Sequence, residues 1–161
     1  TFNIATLNGR TKLEVTKHKN SMYVGAKMGY VGGIDKISVR PGGALGFVKL
    51  DSKMSDEKLL TPRGYRLDQI DAFAIAKRLL NGKHTPKVLG QTKVNGRSTA
   101  ILEYTRANDF DSGITRELLG VDMKDHFVRI HEMYEGSKLV FSLKISNVQL
   151  NAPVTSKDLD I

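Results

Sequence analysis

The sequence predicts an α+β fold: a strongly curved, mostly antiparallel sheet with one or more helices covering its concave face. Three observations carry this. Apolar and polar residues alternate with period two through most of the 161 residues. Tight-turn signals recur between the alternating runs. One segment breaks into helical spacing.

The elements follow in order. "FNIATL" (2–7) and "TKLEVTK" (11–17) flank Asn8-Gly9-Arg10, a hairpin signal. In the second run Leu13 and Val15 share one face, with Lys12, Glu14 and Thr16 on the other. That is a half-buried strand with a wet side. The glycines of "GAKMGYVGG" (25–33) predict bends or bulges in a curved sheet. A phosphate loop would need a Gly-Lys-Ser/Thr end and a following helix, and neither is present. "DKISVR" (35–40) turns Ile37 and Val39 inward. Pro41-Gly42-Gly43 then predicts a turn, and "LGFVKLD" (45–51) the next strand.

Residues 51–66 read as a connector. In "LDQIDAFAIAKRLLNG" (67–82), Ile70, Phe73, Ala74, Ala76, Leu79 and Leu80 recur at helical spacing. Asp68 is placed to cap the start, Lys77 and Arg78 suit the negative end, and Gly82 suits the position just past it.

Strands resume after the helix. "KVLGQTKV" (87–94) and "RSTAILEYTR" (97–106) flank Asn95-Gly96, a favoured two-residue hairpin turn. Ala100, Leu102 and Tyr104 share a face. "ITRELLGVD" (114–122), "HFVRIHEMYE" (126–135) and "KLVFSLKISNVQLN" (138–151) predict a closing meander. Leu139, Phe141, Leu143 and Ile145 line one side of its last strand. Nine to eleven strands in one sheet must curl or close.

No enzymatic signature emerges. His131-Glu132 invites comparison with a zinc-protease helix, but position 135 is Glu where a second histidine is needed. Strand alternation groups Val128, Ile130 and Tyr134 on one face and sets His131 on the other with Arg129 and Glu135. His131 is therefore expected to face solvent. His18, His84 and His126 fall in separate elements or turns. Asp109 and Asp111, like Asp122 and Asp125, read as turn residues that bond their own backbone. Cysteine is absent, which removes disulfides, thiolate metal sites and a cysteine nucleophile. No GxSxG elbow occurs. The expectation is a non-enzyme with no catalytic residue, no metal and no cofactor.

Net charge is +8, and its distribution is uneven. Residues 1–50 hold eight Lys/Arg against two acids, while residues 51–161 hold seventeen against fifteen. The basic first third suits a solvated sheet face, or a membrane surface or protein partner. Nothing accompanies the charge that would predict nucleic-acid binding. No apolar run is long enough for a spanning helix.

The stretch "GITRELLGVDMKDHFVRIHEMYEGSKLVFSLKISNVQLNAPVTSKDLDI" (113–161) resembles the end of the outer-membrane lipoprotein carrier and sorting proteins, the LolA-like superfamily. It also resembles a related exported bacterial family of unknown function. "DKISVRPGG", a connector and a helix fit the middle of that pattern. The resemblance implies a single half-barrel domain over residues 1–161, an unclosed β-barrel with helices in its mouth. It implies an apolar cavity for a lipid or the acyl chain of a lipoprotein, with no catalysis. It implies a periplasmic or envelope-anchored protein, with further native sequence ahead of the first strand. The classical carrier has an aromatic-rich cavity, whereas this chain lacks Trp and is 7% aromatic.

The apolar positions expected to face such a cavity are Leu13, Val15, Ile37, Val39, Phe73, Leu102, Tyr104, Phe141, Leu143 and Ile145. One helix is too small to cover them all. Either further helix or a ligand covers the remainder, or the side chains fill a dry core themselves. A protein-interaction or structural module of the same fold is the alternative function.

Overall fold

The computed structural model describes all 161 residues. The chain divides into two compact units, residues 1–71 with 150–161, and residues 72–149. Ten strands form two five-stranded antiparallel sheets, one in each unit. Each sheet ends in two edge strands, so neither closes into a barrel.

The first sheet is a pure meander of β1 (Phe2–Leu7), β2 (Arg10–Val15), β3 (Lys27–Val31), β4 (Ile37–Arg40) and β5 (Leu50–Ser52). The β1–β2 turn holds Asn8 at φ +51° and Gly9 at φ +77°. That left-handed pair is what an Asn-Gly turn supplies at low steric cost. Alternation then turns Leu13, Tyr30 and Ile37 inward against Met54, with Met28, Val39, Leu59 and Leu67 packed around them. Each fully buried apolar side chain contributes about 1.5–3 kcal/mol. Residues 156–159 form a short 3-10 turn beside this sheet, tied by Lys12 Nζ to the carbonyls of Asp158 and Asp160, both at 2.8 Å.

Two sequence expectations shift here. Only Leu50 and Asp51 of "LGFVKLD" join a strand, Leu50–Ser52, because residues 43–45 wind into a 3-10 turn and Val48 N–H bonds the carbonyl of Leu45. The single helix expected over 67–82 is two, α1 (Leu67–Ile70) and α2 (Ala72–Leu79). Asp71 interrupts them with an extended backbone (ψ 161°), and its carboxylate accepts the Tyr30 hydroxyl at 2.9 Å. Asp68 sits inside the first turn, not before it, and is held there by Arg66 at 2.9 and 2.7 Å. Gly82 does take the left-handed conformation, at φ +82°.

The second sheet runs β6 (Lys87–Val94), β7 (Arg97–Thr105), β8 (Arg116–Asp122), β9 (Val128–Glu135) and β10 (Lys138–Lys144). Asn95-Gly96 makes the β6–β7 turn as the sequence predicts. α2 buries Ile75 and Leu79 against Tyr104, Leu119 and Val128. Bulges interrupt three of the four pairings, at Val88/Gly90, Gly120/Val121 and Leu139/Phe141. Such bulges bend a strand and increase its twist. At Gly120 an added Cβ would lie 3.1 Å from both Ile130 Cβ and Thr99 Cγ2, so glycine lets the strands close there.

Candidate ligand-binding face and buried ion network

The expected cavity residues fall into two sets, one in each unit. Leu13, Ile37 and Val39 belong to the first unit's cluster, while Val15 is half-buried at the end of β2. Tyr104 is buried in the second cluster, and Leu102, Leu143 and Ile145 are half-buried against it. Phe141 is half-buried, its ring 5.8 Å from that of His131. Phe73 stands apart, 49% exposed and edge-on to Phe127 at 5.7 Å.

Cross-strand register aligns the second set. Leu102 pairs with Leu119, Leu119 with His131, and His131 with Leu143. These positions form a row across four strands on the face that α2 covers. α2 has eight residues, about 12 Å of helix. It leaves Leu102, Val121, Leu143 and Ile145 only half-buried.

Into this row the fold sets charges. Glu117 and His131 are fully closed off from solvent. His131 Nε2 is 2.6 Å from Glu117 Oε2. Arg78, on α2, grips the same carboxylate with both terminal nitrogens: Nη1 to Oε1 at 2.6 Å and Nη2 to Oε2 at 2.5 Å. Nη1 also donates to the carbonyl of Ala107 at 2.9 Å, and the guanidinium lies 5.3 Å from the Phe110 ring. Burial alone would push the Glu117 carboxyl up, but donation from Arg78 and His131 outweighs it and holds the group below its ordinary value. An ionised carboxylate accepts only, so Nε2 of His131 carries the proton. Nδ1 is buried without a hydrogen-bond partner.

His131 therefore does not face solvent, as simple alternation suggested. The bulge at Gly120/Val121, opposite Val128 and Ile130, shifts the parity of β9. Val128 and His131 both end up buried. Glu117 was not singled out from sequence, and Arg78 was read only as a cation at the helix's negative end. The available signal was Glu117 itself, a charge in register with Leu119 and Val121 on an apolar face.

A second network closes the β8–β9 turn. The Asp122 carboxylate is buried and accepts from Arg97 Nε, from Arg129 Nε at 3.2 Å and from the backbone of Lys124 at 2.8 Å. The Arg97 contact is the largest influence and, against burial, holds Asp122 far below the usual carboxylate range. Asp125 accepts from Arg97 at 2.8 Å and from Arg129. Asp122 and Asp125 are thus turn residues as expected, and ion-pair partners as well. No group of three or more His, Asp or Glu side chains is placed to hold a metal ion.

Two surface grooves differ in character. One, of about 590 Å³ in the second unit, is lined by Glu103, Thr105, Arg106, Thr115 and Arg116 with Gly136 and Ser137. It contains none of the expected cavity residues. The other, of about 210 Å³ in the first unit, sets Tyr30, Val31, Ile34 and Ile161 beside Arg10, Lys36 and Lys49.

No protein-family model matches the chain, and no curated protein matches it. Solved structures do. A putative outer membrane lipoprotein-sorting protein domain from Vibrio parahaemolyticus is 18% identical, with a TM-score of 0.50, over 92% of this chain and 62% of that one. A chain from the complex of the CwlD amidase with the GerS lipoprotein of Clostridioides difficile is 15% identical, with a TM-score of 0.54, over 94% and 84%. A LolA superfamily protein from Nitrosomonas europaea is 17% identical with a TM-score of 0.40, over 89% and 59%. The chain thus spans about six-tenths of the length of the Vibrio and Nitrosomonas proteins. At these identities the likeness to the Vibrio and Clostridioides chains is one of fold alone, and the fold here is two antiparallel sheets with little helix and no closed barrel.

Proposed function

We propose, with a LolA-like fold as premise, that this chain is a noncatalytic protein of the bacterial cell envelope that binds the acyl chain of a lipid or lipoprotein. Residues 1–161 act in this reading as one lipid-binding domain, in the periplasm or anchored to an envelope membrane. The observation that carries the reading is the apolar set Leu102, Val121, Leu143 and Ile145, left half-buried beside an eight-residue helix. Burying a methylene is worth about 0.8 kcal/mol, so a long acyl chain offers on the order of 10 kcal/mol before entropic costs. No group is needed for chemistry, and Glu117, Arg78 and His131 bond one another in the interior instead of facing a cleft.

Native mass spectrometry with organic extraction, on protein purified from a bacterial envelope, tests this. A bound acyl-containing molecule supports it. A clean apo mass with no uptake of a fluorescent fatty acid refutes it.

A second reading, a protein-interaction module without lipid, has its own support. β6 is an edge strand with Val88 68% exposed and Leu89 exposed beside it, a surface suited to strand addition. The match with the higher TM-score also comes from a protein–protein complex. Co-purification with a protein and never with lipid would favour this reading.

A further inference from the structure

The end of the first sheet carries a feature that acyl-chain binding does not use. The β2–β3 connection (16–26) and the β4–β5 connection (41–49) emerge at the same end of the meander. They are locked together at Gly42, where an added Cβ would lie 2.4 Å from the Val24 carbonyl oxygen and 2.7 Å from that of Met22. Each connection contains a 3-10 turn, over Ser21–Tyr23 and over Gly43–Leu45. The first is pinned by Asn20, whose side-chain oxygen accepts the Met22 N–H at 3.0 Å. The tip is therefore built, and it points apolar groups outward. Phe47 is 78% exposed, Met22 72%, Leu45 57% and Tyr23 55%.

Four large apolar side chains together on a loop tip are an unusual exposure for a water-facing surface. Their surroundings are cationic. Lys17, His18 and Lys19 are exposed just before the first turn, with the His18 ring 4.9 Å from that of Tyr23. Lys27 and Arg40 face each other across β3 and β4 at the base of the tip, and Lys49 follows Phe47. No Asp or Glu occurs from residue 15 to 34 or from 36 to 50.

We propose that this tip is a membrane-docking surface for anionic phospholipid. Phe47, Met22 and Leu45 enter the acyl boundary, Tyr23 sits at headgroup depth, and Lys17 and Lys19 meet the lipid phosphates. Charge complementarity selects a lipid surface over a second copy of this chain, which would bring the same cations face to face. Interfacial binding requires both components, apolar insertion and basic attraction. The proposal stands independently of acyl-chain binding, because it uses none of the same residues.

Co-sedimentation of the full chain with large unilamellar vesicles tests it, comparing phosphatidylcholine alone with phosphatidylcholine containing phosphatidylglycerol. The wild type should bind the anionic vesicles at least about tenfold more tightly. Met22→Ser with Phe47→Ser should weaken that binding by about tenfold or more, at an unchanged melting temperature. Lys17→Glu with Lys19→Glu should abolish the preference for phosphatidylglycerol. Absence of wild-type binding at low salt overturns the proposal, as does binding retained by the double serine variant. A wild-type dimer that the serine variant dissolves, without vesicle binding, assigns the tip to self-association and also overturns it.

Discussion

His131 and Glu117 lie on neighbouring strands with Nε2 2.6 Å from Oε2, both shut away from solvent, and Arg78 completes the carboxylate's bonds from the helix above. Removing one member leaves the others buried and uncompensated. Glu117→Gln should therefore cost about 3–5 kcal/mol of stability, read by urea denaturation. Replacing all three with apolar side chains of similar volume should recover most of that loss. A Glu117→Gln variant as stable as the wild type would show that the trio contributes little.

The same carboxylates set the acid limit. Glu117 and Asp122 both have folded-state values lowered by their cationic partners. The folded state thus binds fewer protons than the unfolded chain in acid, and stability rises with pH there. The contribution is complete above the ordinary carboxylate range and is lost as pH falls through the lowered values. Thermal melts should change little from pH 7 to 5.5 and fall steeply below about pH 4. Asp122→Asn should flatten the acid side of that profile.

Gly42 is the steric hinge between the two loops of the apolar tip. A methyl group there would meet two backbone oxygens, which cannot swing aside as a side chain can. Gly42→Ala should destabilise the protein by about 1–3 kcal/mol. Gly9→Ala provides the contrast: nothing crowds it, but its φ of +77° is strained for alanine. Comparing the two melts by calorimetry separates crowding from backbone strain.

If the second sheet's face takes an acyl chain, a polar group placed in it should oppose binding. Leu143→Asn should weaken uptake of a fluorescent fatty acid by about tenfold, since one buried leucine is worth about 1.5–3 kcal/mol. Phe47→Ser should leave that uptake unchanged. Equal uptake by the wild type and Leu143→Asn would remove this face from the binding reading.

The repetitive parts of the fold were legible because strand alternation is local. Leu13, Ile37 and Tyr104 were assigned inward from their neighbours alone, and each is buried. Asn8-Gly9 and Asn95-Gly96 form their turns through the conformations those residues favour. His131 was not legible, because its burial depends on a bulge between β8 and β9. A one-residue shift in pairing moves a side chain to the opposite face. Arg78 was legible as a helix-end cation but not as a partner of Glu117, 39 residues away. The loop tip was hidden for another reason. "LGFVKL" has strand-like composition, and only the 3-10 turn reveals Phe47 as a protrusion.

Residues 150–161 return to the unit begun by residues 1–71, while residues 72–149 make up the other unit without interruption. Arg10 bonds Asp160 at 3.0 Å across 150 positions of sequence, and Leu159 is buried. The unit that is begun first is thereby the one completed last. During synthesis all of residues 72–149 have been made before the first unit receives its last segment. Until residues 150–161 arrive, Arg10 and Lys12 lack the partners they find at Asp158 and Asp160, and the apolar surface that buries Leu159 stands open.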